Sequence, residues 1–178
     1  LPSDSRYSET VSDLFDLAGL PLSGLSIDRP VRDIGRETVL YYLLSINKPA
    51  PAMSLAAFLS LPLLPWSQEE GNCLAQAVMD RDFKLEPLET LSSEGRKVLE
   101  LVKNGVEKPK ELSDSLRRLS ILMNDKEGFT SHVERTRALI GELLGVLQNA
   151  NEVPWKDIIR RASPGSLSER VESELTRE

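Results

Sequence analysis

Apolar residues recur along this chain at intervals of three and four, and nowhere do they alternate with polar ones over a full strand length. Val11, Leu14, Phe15 and Ala18 predict a helix over residues 5–18, which Gly19, tolerant of positive φ, should end. Residues 20–32 read as a loop punctuated by Pro21, Gly24, Asp28 and Pro30. Asp33 can cap a second helix to about Ile46, with Val39, Leu40, Leu43 and Leu44 inward. Residues 48–51, Lys-Pro-Ala-Pro, should be extended, because a residue before proline avoids the α region. Ser54 is predicted to cap a short helix carrying Leu55, Phe58 and Leu59, stopped by Pro62 and Pro65.

Ser67 and Glu70 have the spacing of a capping box, in which the hydroxyl takes one orphan amide and the carboxylate another. A helix to about Asp80 follows, with Leu74, Ala77 and Val78 inward. Residues 81–91 read as a loop. Ser92 or Ser93 starts the next helix, through Val102 and ended near Gly105. Pro109 suits a first helical turn, and Leu112, Leu116, Leu119 and Met123 then share one face. After a turn over residues 124–128, Ser131 and Glu134 have the spacing of a second capping box. Its helix should reach about Gln148, with Ala138, Leu139, Leu143, Val146 and Leu147 apolar. Residues 155–162 read as a short helix and residues 166–175 as a last, more polar one. The expectation is an all-α, orthogonal multi-helix domain of about eight helices over residues 1–178. A lobe boundary is placed at residues 81–91. No repeat length emerges, which argues against a solenoid.

Composition narrows the class without naming a function. The chain has 178 residues, 40% hydrophobic and only 5% aromatic, long enough for one substantial core and poor in strand formers. Its net charge of -6 lowers non-specific attraction to phosphate backbones. With Cys73 as the single cysteine, neither an intrachain disulfide nor a thiolate metal cage can form. No apolar run is long enough for a membrane span, and no leader pattern opens the chain, so a cytoplasmic protein is expected. The chain begins at Leu1 rather than Met, and it is read as a fragment of something longer.

Each candidate for chemistry has a plainer reading beside it. Asp82-Phe83-Lys84 has the acid-x-lysine spacing of a metal-dependent nuclease, but no upstream strand or second acid accompanies it, so a solvated loop is expected. His132, the only histidine, has no second ligand or nucleophile beside it and reads as cap-associated. Cys73 reads as a small buried hydrophobe within a helix. No phosphate-binding glycine loop is present, and no cofactor is expected. Trp66 and Trp155 each follow a proline and read as plugs of a helix start onto the core. Arg117-Arg118 and Arg160-Arg161, with Arg135 and Arg137 nearby, are the densest basic spots. They are either an ordinary solvated face or, if the later helices lie side by side, a stripe for DNA or an acidic partner.

One stretch resembles a known family. A helix ends in Leu17-Ala18-Gly19-Leu20-Pro21-Leu22-Ser23, and a polar link with Arg29-Pro30 follows. Then come a leucine-rich helix over residues 39–44, a proline linker, and Leu55-Ala56-Ala57-Phe58-Leu59-Ser60-Leu61-Pro62-Leu63. That order resembles superfamily 1 DNA helicases of the UvrD, RecB and AddB type, at the point where the motor chain leaves for its helical 2B insertion. It is most similar to the motor-inactivated, AddB-like subunits of double-strand-break repair helicase–nucleases. The resemblance implies a non-catalytic helical domain that positions DNA or docks the partner subunit of a larger protein. Gly19-Leu20-Pro21 and Pro62-Leu63 would then be structural. Arg117, Arg118, Arg160 and Arg161 would be the contacts to DNA or partner. The alternative is a stand-alone helical protein-interaction module with an exposed apolar groove for a partner helix, which extra exposed leucines on the Leu112 to Met123 face would favour. A helical enzyme is a third, weaker reading, since no acid, base and nucleophile converge.

Overall fold

A computed structural model of the chain describes residues 33–80, 91–124 and 128–163. Among them are seven α-helices and no strand: α1 (Ile34–Ile46), α2 (Ala52–Leu59), α3 (Gln68–Met79), α4 (Ser93–Lys103), α5 (Pro109–Leu122), α6 (Thr130–Leu147) and α7 (Trp155–Ala162). All belong to one compact unit, residues 33–178. The helices expected over 5–18 and 166–175, and the loop segments 20–32 and 81–90, lie outside the described residues.

The core is built around α1, which packs against α2, α4, α6 and α7. A helix with neighbours on several sides must be apolar nearly all round, and Val39, Leu40, Tyr42, Leu43 and Ile46 are all buried, with Leu44 half-buried against them. Its buried hydroxyls are satisfied. Thr38 Oγ1 donates to the Ile34 carbonyl at 2.7 Å and Ser45 Oγ to the Tyr41 carbonyl at 2.6 Å. The Tyr42 and Ser115 hydroxyls hydrogen-bond to each other, joining α1 to α5. Asp33 caps the helix, its carboxylate accepting from the Arg36 amide at 3.1 Å. Gly35 lets α6 approach: a Cβ there would stand 2.7 Å from Thr136 Oγ1 and 2.9 Å from the His132 carbonyl.

Several sequence expectations match in detail. Ser67 and Glu70 form the capping box, with the Glu70 amide donating to Ser67 Oγ at 3.1 Å and the Ser67 amide to Glu70 Oε2 at 2.8 Å. Ser92 caps α4 by accepting from the Gly95 amide at 3.0 Å. Leu112, Leu116, Leu119 and Met123 are buried together. The Asn124 amide, just past α5, donates to the Leu63 carbonyl at 2.8 Å and ties α5 to the segment after α2.

Others are corrected. Helix α2 begins at Ala52, not after Ser54, because the extended Pro51 already offers its carbonyl to the Leu55 amide at 3.1 Å. The Ser131–Glu134 capping box does not form. The chain is wound by Phe129, whose carbonyl takes the Val133 amide at 3.0 Å, so Ser131 lies inside α6, where it lacks the extended backbone a cap requires. Ala77, Ala138 and Cys73 are exposed. Helix α3 buries only the narrow stripe Gly71, Leu74 and Val78, and Ala77 and Cys73 fall to its side.

Candidate functional site

Helices α4 and α5 pack side by side, joined by the short link through Gly105 and Val106. Each buries one stripe in the core. On α4 it is Val98, Leu99 and Val102, and on α5 Leu112, Leu116 and Leu119. Both leave a second, outward edge. Along that edge run two adjoining hollows of about 390 and about 340 Å³, which share Leu101, Asn104 and Arg118.

The first hollow is mainly apolar. Leu101 and Leu122 are half-buried in its floor. Ile121 beside them is 77% exposed, the most exposed large apolar side chain among the described residues. It sits two residues past Leu119, so a helix at 100° per residue turns it away from the core. Lys97 and Glu100, one turn apart on α4, edge this part. The second hollow, toward the link, carries Glu111, Asp114 and Ser115. Glu111 Oε2 accepts from the amides of Glu107 and Lys108, both at 3.3 Å, steadying the start of α5. Ser115 is held from behind by Tyr42, whose phenol burial pushes up to about 12. The Arg118 charge acts on that phenol in the opposite direction.

The sequence-predicted residues distribute unevenly about this groove. Arg118 lines it; Arg117, the next residue, lies 3.9 Å from Asp114 with both side chains about half exposed. Arg160 and Arg161 are on another helix, at the end of α7, and both reach Asp157, at 3.2 and 3.1 Å. Arg135 and Arg137 are exposed on α6, and Arg137 Nε donates to the Ser120 carbonyl of α5 at 3.4 Å. Three of the four proposed contact arginines thus have an aspartate on their own helix, which dilutes the charge they would show to a phosphate backbone. His132 is half-buried, with its Nδ1 buried and without a hydrogen-bond partner and its ring 6.2 Å from Phe129. Trp66 is buried and donates its indole N–H to the Leu59 carbonyl at 2.9 Å; Trp155 packs half-buried against the core. Asp82-Phe83-Lys84 lies outside the described residues.

Among the described residues no group of three or more His, Cys, Asp or Glu side chains gathers as a metal cage would, and no helix is long and apolar enough to cross a membrane. Sequence reasoning did not place Ile121 in a groove. The available signal was an isoleucine off the leucine stripe of α5, on a face otherwise made of Lys110, Asp114 and Arg117. No protein-family model, curated protein or solved structure significantly matches the chain.

Proposed function

We propose that this chain is a non-catalytic helical docking domain of a larger DNA double-strand-break repair helicase–nuclease subunit, and that its α4–α5 groove receives the partner subunit. The observation that carries docking is Ile121, held 77% exposed above half-buried Leu101 and Leu122. Such a side chain gains most when a second apolar surface covers it. The link to DNA repair rests on the resemblance described from the sequence. Of its structural elements, Leu63 is fully buried and holds Asn124 through its carbonyl. Docking is favoured over direct DNA positioning by the aspartates beside Arg117, Arg160 and Arg161.

In the intact parent complex, Ile121→Asp is expected to weaken partner association by roughly tenfold or more, as loss of an apolar anchor does. Charge reversal of Arg160 and Arg161, which lie on α7 away from the groove, is expected to leave it nearly unchanged. An Ile121→Asp complex of unaltered affinity would sink this reading. The second reading, a stand-alone interaction module, uses the same groove. It is favoured instead if the chain captures its partner at full affinity without any neighbouring helicase segments.

A further inference from the structure

We infer that the occupant of the α4–α5 groove is an amphipathic helical segment of a partner protein, with apolar side chains for the Leu101–Ile121–Leu122 half and a lysine or arginine for the half nearer the link. This rests on the docking function proposed above and adds the chemistry of what docks. The short link makes α4 and α5 antiparallel, so the groove has a fixed order. Ile121 and Leu122 lie at its open end, Arg118 in the middle, and Asp114 and Glu111 toward the link. At the open end Lys97 and Glu100 offset each other, which leaves apolar contact as the dominant attraction. At the link end Glu111 and Asp114 stand three residues apart on one face of α5, beside the C-terminus of α4, where the helix dipole is negative. The Asp114–Arg117 pair spans 3.9 Å with both side chains about half exposed. So loose a pair can be exchanged for a partner's base at little cost.

Charge decides between occupants. A second copy of this chain would bring another net charge of -6 to an acidic groove end. A DNA backbone would set phosphates against Glu100, Glu111 and Asp114, three carboxylates against the two cations Lys97 and Arg118, with both acids of the link end facing it. A basic, amphipathic partner helix meets neither repulsion, and apolar residues at i and i+4 match the hollow between two helices.

The test is selection of a displayed library of helical peptides about four turns long, with leucines fixed on one face and all other positions random, on the full chain. Survivors are expected to carry Lys or Arg toward one end of the leucine face and to lose binding to the Ile121→Asp chain. Changing the selected base to glutamate should weaken binding roughly three- to tenfold at low salt, and Asp114→Lys should remove that preference. Survivors that depend on Ile121 but show no basic enrichment would overturn the inferred occupant and leave groove docking standing. An absence of survivors, or survivors indifferent to Ile121→Asp, would overturn both.

Discussion

The indole N–H of Trp66 donates to the carbonyl of Leu59 at 2.9 Å, and Gly71 lies against both groups. A Cβ on Gly71 would stand 2.6 Å from the Leu59 oxygen and 3.0 Å from Trp66 Nε1. The Leu59 oxygen belongs to backbone and cannot swing away as a side chain would. Gly71→Ala should therefore force α2 and α3 apart and destabilise the domain by about 1–3 kcal/mol, despite alanine's better helix propensity. Urea unfolding of the two chains measures it, and an alanine chain as stable as the parent would contradict this close approach.

Tyr42 makes stability fall in alkali. Burial pushes its phenol up to about 12, whereas in the unfolded chain it ionises near 10. Above the unfolded value the unfolded state gives up its proton first, so it binds fewer protons than the folded state and gains on it as pH rises. The contribution is fully present below about pH 10 and is lost progressively as pH climbs toward 12, about 2–3 kcal/mol in all. Tyr42→Phe should flatten this part of the profile, as followed by denaturant midpoints across that range.

Much of the fold was legible because its signals are local. The Ser67–Glu70 box, Pro109 in a first turn and the Leu112–Leu116–Leu119 stripe each depend on residues within a few positions of one another. Errors arose where a distant or preceding segment decided the outcome. Ser131 had the spacing of a cap but arrives after Phe129 has begun the helix. Ala77 and Cys73 looked inward, but among the described helices α3 has only α2 as a major neighbour, and it buries a single stripe. The groove was legible only as a possibility, since Ile121 becomes a floor-and-rim feature only when α4 and α5 are set side by side. The Tyr42–Ser115 contact, which spans 73 positions in the chain, left no trace in spacing.

Cys73 gives a direct check on the orientation of α3. Its side chain is exposed, on the flank away from Gly71, Leu74 and Val78. A thiol reagent such as Ellman's should label it stoichiometrically in the folded protein at neutral pH, at a rate little changed by denaturant. A thiol that reacts only after unfolding would mean that α3 is rotated about its axis.

Leu119 and Ile121, two residues apart on α5, should separate stability from docking. Leu119 is fully buried between α5 and its neighbours, and Ile121 is 77% exposed on the groove. Leu119→Ala removes buried methyl groups and leaves a cavity, a loss of about 2–5 kcal/mol. Ile121→Asp removes almost nothing from the core and should change stability by only about 0.5 kcal/mol. The two substitutions should therefore diverge in thermal unfolding, with Leu119→Ala lowering the midpoint by many degrees and Ile121→Asp barely moving it. For partner association the ranking should invert at temperatures where both chains remain folded, because Leu119 presents no atom to the groove whereas Ile121 supplies its most exposed apolar contact. If Ile121→Asp unfolds the domain as readily as Leu119→Ala, the isoleucine belongs to the core, and the groove is not the surface it has been taken to be.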